Sequence, residues 1–574
     1  MGAKLSLTLL VLFLFCITHI LIYFSNFYSE IRFQNAVGIA ISRIFDTGRP
    51  GEIHTLKELE FEEWIVWQYK KSISKLKSNL NLYKSNKFVQ RGAICASPSK
   101  SEPDYFYHWT RDSALTISYI IFAMENSIDS ESLYYSKHSS SHKDQSFLAN
   151  PPSTKEDFHS FVNHYINFTN YLVKYKRHPV GDLGEPKFYM NGELFLKSWG
   201  RPQNDGPALR SIANIQYINF LFSNRDRLGK SHGAIVGFLT NFLLCDDCVL
   251  SQDLKYLSSH YLDPSFDIWE EVCGTHFYNV LVTSKAFEMA SQLYLDVLNN
   301  RIKSKKYHIL RDKLLKIASN NFWNNSSSLI MSTIDYKKGI YKSHDFLDTQ
   351  TILAWIHTFN SDSFFVKDAG LLSKTLTTLV KLLAIYKDLY PINYSDRNAP
   401  GVAVGRYPGD KYNGYNSHSL GNPWPLLTCS IAEFYYKLVI SSIHARKLVV
   451  DPSLSEFLLY SQNLLYSASP YDTLLYKVDP LHGITNKALS SVYIIRYELE
   501  PQRLLDILSL LIHSADLFAK RVKFHSPSEG FMNEQWDRYT GFHTGAPDLT
   551  WSYTAFLSMI DNRRIAKSLL DSIS

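Results

Sequence analysis

Two stretches of the chain carry acidic side chains in a setting that suits acid–base chemistry. In residues 266–272, FDIWEEV, Glu270 and Glu271 directly follow Trp269, and in residues 530–537, GFMNEQWD, Glu534 lies between two amide side chains. Hydrolysis of a glycosidic bond commonly uses two carboxyl groups held on opposite sides of that bond. We therefore predict that Glu270 donates a proton to a sugar leaving group and that Glu534 is its counterpart. Taken alone, an adjacent acidic pair is more often a solvent-exposed surface.

The two carboxyl groups need different surroundings. A general acid must keep its proton, and Trp269 on one side with Glu271 on the other would supply apolar surroundings and a like charge. A general base must stay ionised, and Asn533 and Gln535 flank Glu534. This chemistry requires neither a metal ion nor another cofactor.

Five loops, including those of Glu270 and Glu534, combine aromatic rings with charged or amide side chains. The other three span 105–112, 199–205 and 406–422. Sugars present C–H faces to aromatic rings and hydroxyl groups to charged side chains. All five loops precede predicted helices, and we expect Asp205 to cap one of them. In a barrel of paired helices such loops would meet at one end, where we place the functional site.

The spacing of apolar residues predicts an all-α fold. Steps of three and four residues recur in about a dozen stretches, whereas alternating strand patterns are few. The predicted helices are 53–81, 113–124, 157–175, 207–222, 232–244, 275–298, 306–322, 347–359, 373–386, 425–439, 454–467, 490–522 and 549–560. Residues 129–156 are rich in Ser, Lys and His and are predicted to form an exposed insertion.

The overall composition is that of a globular protein with ample material for a core. Hydrophobic residues make up 45% of the 574 residues and charged residues 20%, so disorder is not expected. The net charge of +6 is too small, without a basic patch, to indicate a nucleic-acid partner.

The first residues of the chain predict entry into the secretory pathway. The run from Leu5 to Phe24 is apolar, follows Lys4, and is about long enough to cross a bilayer. We predict a signal peptide or signal anchor in 1–27, a tether in 28–51 and a catalytic domain in 52–574. Contact with a membrane is expected only through the first segment, if it is not cleaved.

Cysteines and glycosylation sequons agree loosely with a lumenal chain. Cys245 and Cys248 are compatible with half of a metal site, a redox pair or a local disulfide, and a disulfide or two inert thiols is favoured because no second pair of ligands accompanies them. Sequons that would make the protein a glycoprotein occur at Asn167, Asn324, Asn325 and Asn393.

The chain resembles the glucoamylases, glycoside hydrolase family 15, from about residue 90 to 560. The likeness is greatest to yeast members of the sporulation type, which lack a starch-binding domain. The motifs that carry the resemblance are PDYFYHWTRDSAL from Pro103, GEPKF from Gly184, SWGRPQNDGPALR from Ser198, DIWEEV from Asp267, GRYPGD from Gly405, GNPW from Gly421, NEQWD from Asn533 and DLTWSY from Asp548. The resemblance implies an (α/α)6 barrel that removes glucose from the non-reducing ends of α-glucans such as dextrins, glycogen and starch, with inversion.

The resemblance also assigns roles to individual residues. Glu270 corresponds to the general acid of the family, Glu534 to its general base, and Glu271 to a carboxylate that binds the sugar on the leaving side. Arg111, Asp112 and Arg406 correspond to side chains that hold sugar rings. The aromatic walls of the pocket correspond to Tyr105, Trp109, Trp199, Trp269 and Trp551.

Two alternatives remain compatible with the sequence. One is activity on another α-glucoside such as trehalose, since a fold does not fix a function. The other is a glycan-binding protein that has lost catalysis, which the presence of both Glu270 and Glu534 disfavours. We expect a monomer located in the vacuole, in the spore wall or outside the cell.

Overall fold

The computed structural model describes residues 61–138, 154–359, 368–394, 399–468 and 492–574. Cys16, the predicted signal or anchor segment in 1–27 and the tether in 28–51 lie outside the described residues. So do residues 52–60 of the predicted domain and residues 139–153 of the predicted insertion.

Twelve helices of the described chain form two layers, which we number α1 to α12. The even-numbered helices form a closed inner ring, because each contacts the next and α12 contacts α2. Their bounds are Thr110–His138 for α2, Asp205–Ser223 for α4, Phe277–Asp296 for α6, Gln350–Thr358 for α8, Pro425–Ala445 for α10 and Thr550–Ile573 for α12.

The odd-numbered helices pack on the outside of this ring. Each lies against one inner helix: α1 against α12, α3 against α2, α5 against α4, α7 against α6, α9 against α8 and α11 against α10. Their bounds are Phe61–Leu80 for α1, Thr154–Tyr175 for α3, Val249–His260 for α5, Arg301–Asn321 for α7, Ala369–Leu389 for α9 and Pro501–His525 for α11.

The burial of each helix follows from its apolar pattern. Pro425–Ala445 is apolar on all sides and buries 18 of its 21 residues, whereas Arg301–Asn321 buries only five of 21 along one stripe. A helix covered on every side has to be apolar all round, and an outer helix needs only one apolar face. Ala369–Leu389 and Pro425–Ala445 are also long and apolar enough to cross a membrane, and the burial of the second inside the barrel explains its composition.

Short helices and small antiparallel sheets decorate the barrel. The further helices are Leu82–Ser85, His232–Phe238 continuing as a π-helix over Leu239–Leu243, a left-handed turn at Ser343–Phe346, a 3₁₀ turn at Pro391–Asn393, and Pro452–Ala468. The paired strands are Tyr107–Trp109 with Lys187–Tyr189, Ser265–Phe266 and Thr333–Gly339 on either side of Val272–His276, Trp323–Asn324 with Leu329–Ile330, Lys447–Val450 with Tyr493–Arg496, and Gln535–Trp536 with His543–Thr544.

The all-α prediction is confirmed, with local corrections. The predicted helix 275–298 begins only at Phe277, because Val272–His276 pairs as a strand. The predicted helix 490–522 begins at Pro501, after the strand Tyr493–Arg496. The first inner helix extends beyond residue 124 to His138. Cys245 and Cys248 form a disulfide, and the free thiols of Cys95, Cys273 and Cys429 are buried.

Candidate active site

The loops that precede the inner helices supply side chains to one cluster. The loops at 105–109, 199–204, 406–424 and 534–549 lead into α2, α4, α10 and α12, and the loop of Glu270 leads into α6 through the strand Val272–His276. Hydrogen bonds and ring contacts join all five of them. The prediction that these loops meet at one end of the barrel is confirmed.

Glu270 is surrounded by hydrogen-bond donors. Trp109 donates its indole N–H to Oε1 at 2.8 Å, Gln203 donates to the same oxygen at 3.1 Å, and Trp199 donates to Oε2 at 2.7 Å. The guanidinium of Arg111 lies 3.6 Å from Oε1. The carboxyl group of Glu270 thus meets three N–H donors and one positive charge.

The backbone at Glu270 adopts an unusual conformation that its neighbours hold. Its φ is +67°, in the left-handed region that non-glycine residues seldom occupy. Asp267 fixes the turn, because its Oδ1 accepts the backbone N–H groups of Glu271 and Val272 at 2.8 and 3.0 Å. Gly200 packs against the same peptide, where a Cβ would lie 2.7 Å from the carbonyl oxygen of Glu270, so only glycine fits.

The buried side chain of Lys342 stabilises this turn through two ion pairs. Lys342 Nζ lies 2.7 Å from Asp267 Oδ2 and 2.7 Å from Asp348 Oδ2, and all three side chains are 0% exposed. Trp269 donates its indole N–H to Asp348 Oδ1 at 2.9 Å. Burial alone would raise the pKa of Asp267, but the charge of Lys342, with smaller contributions from other groups, brings it to about 2.

Glu534 is buried and meets two tyrosine hydroxyls. Tyr105 donates to Oε1 at 2.8 Å, and the hydroxyl of Tyr412 lies 3.3 Å from Oε2. Burial raises the pKa of Glu534 to about 7, while the hydrogen bond from Tyr105 and the charge of Arg406 oppose this rise. The backbone of Gly545 lies close to the Glu534 carboxylate: a Cβ atom at this position would be 2.5 Å from Oε2.

Glu271 belongs to a second network of ion pairs and hydrogen bonds within the cluster. Arg406 donates to Glu271 Oε1 at 2.9 Å and to both oxygens of Asp410 at 2.8 and 2.7 Å, and Tyr407 donates to Glu271 Oε2 at 2.6 Å. Burial raises the pKa of Glu271, and the Arg406 charge opposes the rise. The Arg406 guanidinium lies 5.5 Å from the ring centroid of Trp269.

Arg111 and Asp112 form a second buried ionic group. Arg111 donates to Asp205 Oδ2 and to Gln203 Oε1, both at 3.0 Å, and its Nε lies 3.5 Å from Asp112 Oδ2. Burial raises the pKa of Asp112 to about 6 although the Arg111 charge opposes the rise. The Arg111 guanidinium is 5.8 Å from the ring centroid of Trp551.

Aromatic rings connect these groups. The rings of Tyr105 and Trp109 are 5.4 Å apart, and those of Trp269 and Trp551 stack at 6.3 Å with an interplanar angle of 24°. Trp199 is 39% exposed, so it stands at the rim, whereas the other four rings are enclosed or partly enclosed. All eleven predicted site residues therefore belong to this cluster.

Three details of the sequence prediction are wrong. Trp269 and Glu271 direct their polar groups to Asp348, Arg406 and Tyr407 and do not flank the Glu270 carboxyl group as its apolar and like-charged neighbours. Asn533 makes no contact with the Glu534 carboxylate, since its side chain accepts from the backbone of Asp548. Asp205 is not a cap, because it lies in the first turn and pairs with Arg111. Gln535 does contact Glu534, at 3.3 Å.

The sequence analysis also missed several members of the cluster. Gln203 and Asp410 stand inside motifs that were singled out, so their polar side chains were available as a signal. Lys342 and Asp348 stand in no such motif, and only the tertiary contacts reveal them. In the described part of the chain, no group of three or more His, Cys, Asp or Glu side chains is placed to hold a metal ion.

Comparison with known proteins decides the family. The model of the glycosyl hydrolases family 15 matches residues 80–561. The chain belongs to this family. A glucoamylase of Saccharomyces cerevisiae described as intracellular and sporulation-specific is 30% identical over 566 residues, which cover 96% of this chain and 92% of the relative. A probable glucoamylase of Schizosaccharomyces pombe is 29% identical, over 89% of this chain and 94% of the relative.

A solved structure of the family agrees with the fold. The glucoamylase of Saccharomycopsis fibuligera superimposes with a TM-score of 0.70 and 28% identity, and the match covers 89% of this chain and 96% of that structure. The barrel described above is thus the (α/α)6 barrel that the sequence resemblance implied. The activity of this family 15 member is that of a glycoside hydrolase, a glucan 1,4-α-glucosidase.

Proposed function

We propose that Glu270 is the general acid and Glu534 the general base of an exo-acting enzyme that releases β-D-glucose from α-glucans. The observation that carries this assignment is the aromatic pair between the two carboxyl groups. Tyr105 donates its hydroxyl to Glu534, and Trp109, whose ring is 5.4 Å from that of Tyr105, donates its N–H to Glu270. Both carboxyl groups therefore belong to one cluster, although different elements carry them.

The donors around Glu270 support a proton-donating role. When Glu270 gives its proton to the leaving glycosidic oxygen, a carboxylate forms, and the N–H groups of Trp109, Trp199 and Gln203 already point at it. Preorganised donors of this kind stabilise charge that develops in the transition state. Arg111, at 3.6 Å, adds a positive charge.

The surroundings of Glu534 support the role of a base. Tyr105 and Tyr412 orient its carboxylate, and a carboxyl group whose pKa is near 7 takes up a proton more readily than an ordinary glutamate. A water next to Glu534 would lose a proton to it and attack the anomeric carbon from the side opposite the leaving oxygen. This geometry inverts the configuration and yields β-glucose.

The remaining polar side chains would bind sugar rings on the two sides of the scissile bond. Arg111 and Asp112 would hold the terminal glucose, and because they are buried they would also close the pocket behind it. Glu271 and Arg406 would bind the sugar on the leaving side. The rings that we assign as walls for C–H faces are Tyr105, Trp109, Trp199, Trp269 and Trp551.

The test is glucose release from maltoheptaose by the intact chain, followed by ¹H NMR of the anomeric protons. We expect β-glucose first, and we expect Glu270→Gln and Glu534→Gln each to reduce kcat by about 10²-fold or more, as the loss of a general acid or base does. Glu529→Gln is the matched control, because Glu529 is exposed and lies five residues before Glu534. First release of α-glucose, or full activity of either catalytic variant, would refute the assignment.

The same assay separates the alternatives. Faster glucose release from trehalose than from maltose would favour the trehalose-type activity. Binding of maltoheptaose by the folded protein with no release of glucose would favour a binding protein.

We further propose that residues 1–27 carry the chain into the secretory pathway, ahead of a tether in 28–51, and that the protein acts as a monomer. The S. cerevisiae relative is described as intracellular and sporulation-specific, which favours a vacuolar or spore-associated location over the medium. Asn167 and Asn325 are exposed, whereas the amide of Asn393 is bonded to the backbone of Tyr386 and Ala403. Carbonate extraction, endoglycosidase digestion and gel filtration test these points, with glycans expected at the exposed sequons only.

A further inference from the structure

One buried cation of the site has no part in the mechanism above. Lys187 lies opposite Trp109 in the paired strand, and its side chain is almost wholly buried. Its Nζ is surrounded by four aromatic rings, at distances to the ring centroids of 3.2 Å for Trp199, 4.2 Å for Phe195, 4.5 Å for Tyr107 and 4.6 Å for Trp109. Such contacts attract a cation through the electron-rich faces of the rings.

No carboxylate of the described residues forms an ion pair or hydrogen bond with this ammonium group. Burial lowers the pKa of Lys187 to about 8, while the negative charges of Glu270, Asp104 and Glu185 oppose this shift. An apolar side chain would fill the same space without the cost of burying a charge. An electrostatic role therefore explains a lysine at this position better than packing does.

Two of the four rings around Lys187 also contact Glu270, through their indole N–H groups. Trp109 and Trp199 donate their indole N–H groups to Glu270 at 2.8 and 2.7 Å, and the faces of the same two indoles meet Lys187. A cation on the face of an indole draws electron density from the ring, so its N–H becomes a stronger donor. The two rings thus lie between a positive and a negative charge.

We propose that Lys187 is a positioning residue for the general acid: it fixes both indoles and, through them, stabilises the Glu270 carboxylate that forms on proton donation. This proposal rests on the role of Glu270 proposed above. Lys187 would then set the pH above which the enzyme loses its acid. The function is electrostatic, so it requires a cation and not merely a side chain of the right size.

Other charged groups also face Glu270 and remain in any Lys187 variant. Arg111 lies 3.6 Å away, and the charge of Glu270 acts on Asp112, Asp205 and Glu185. Glu185 is itself neutralised by Arg201 through two hydrogen bonds of 2.7 and 3.0 Å. Because these groups are common to all variants, a difference between variants reports on Lys187 alone.

The test compares Lys187→Met, which removes the charge, with Lys187→Arg, which keeps it. The alkaline limb of kcat/KM against pH reports the essential acid of the free enzyme. Without the cation the ionised form of Glu270 is less favoured, so the acid keeps its proton to higher pH. We expect the limb of Lys187→Met to move upward by about half a pH unit or more, less than the 1–3 units that a directly paired charge causes. Its kcat at the pH optimum should fall several-fold, because a weaker acid donates its proton more slowly, and Lys187→Arg should keep the wild-type limb.

An unchanged limb in a folded Lys187→Met enzyme would overturn the proposal, even if kcat fell, because loss of packing alone lowers activity without moving the limb.

A measurement on the unaltered protein makes the test independent of whether that variant folds. With ¹⁵N-labelled tryptophan and lysine, the indole signals of Trp109 and Trp199 should shift together over the pH range in which the Lys187 ammonium signal shows loss of its proton. Indole signals that stay constant across that titration would equally overturn the proposal. Failure of the proposed function is distinguishable, because it would show as an active Glu270→Gln enzyme.

Discussion

Replacement of Lys342 by Met is the sharpest test of how the turn that carries Glu270 is held. Lys342 is bonded at 2.7 Å to Asp267 and at 2.7 Å to Asp348, with all three side chains inaccessible to solvent. Removal of one partner from a buried ionic group leaves uncompensated charge and typically costs about 3–5 kcal/mol. The remaining donors to both carboxylates offset part of the loss, so we expect about 3–4 kcal/mol, a large share of the usual 5–15 kcal/mol of net stability.

The assay is urea unfolding at pH 7, followed by tryptophan fluorescence, with Lys176→Met as the matched control. Lys176 pairs with Glu193 at 2.8 Å, almost the same distance, but Glu193 is 56% exposed. A surface pair of this kind contributes little to stability, because solvent screens its charges. Lys342→Met should therefore lower the free energy of unfolding several times more than the control.

The difference in the free energy of unfolding between wild type and Lys342→Met should also become smaller as the pH falls. Because the pKa of Asp267 lies at about 2, below its ordinary value of 3.8, the pairing contributes fully above about pH 4 and is lost as the pH falls through 2. In the variant, Asp267 takes up a proton at higher pH, which relieves its buried charge. The gap between wild type and variant should be largest at neutral pH and should shrink as the pH falls through the higher pKa that Asp267 has in the variant. A gap below 1 kcal/mol at pH 7, or one that does not change with pH, would contradict the reasoning.

Three further predictions concern single contacts of the site and the barrel. Tyr105→Phe removes a hydrogen bond that lowers the pKa of Glu534, so the acidic limb of kcat/KM should move to higher pH; a limb that moves down would refute this. Arg406→Lys cannot reproduce the two-pronged contact with Asp410, and we expect KM for maltose to rise about tenfold or more while the fold, checked by circular dichroism, is retained. Asp368→Ala removes the side-chain cap of α9, which should cost about 1 kcal/mol in urea unfolding with kcat unchanged.

The sequence was sufficient for the family, the all-α class and the set of loops that meet at one end of the barrel, because those depend on linear motifs and on apolar spacing. Which side chains contact each other was harder to predict. Trp269 stands beside Glu270 in the chain, but its N–H reaches Asp348, 79 residues away. Lys342 gave no local signal because a lone lysine is normally a surface residue. Lys187 stands in the motif GEPKF, but the four aromatic rings around its ammonium group come from separate segments of the chain, which no linear spacing reveals.

The packing of α1 against α12 has a consequence for how the protein is made. Asn79 on α1 donates at 2.9 Å to the backbone of Asp548 and to Thr550, which is 471 residues further along the chain. At about 5–20 residues per second, a ribosome needs roughly half a minute to a minute and a half to make that stretch. During this time the apolar stripe of α1, which includes Trp64 and Leu76, lacks the inner helix α12, against which it packs in the folded protein. Glu534 also emerges only near the end of this interval, so, on the role proposed for it, a nascent chain would gain its general base only when the barrel is nearly complete.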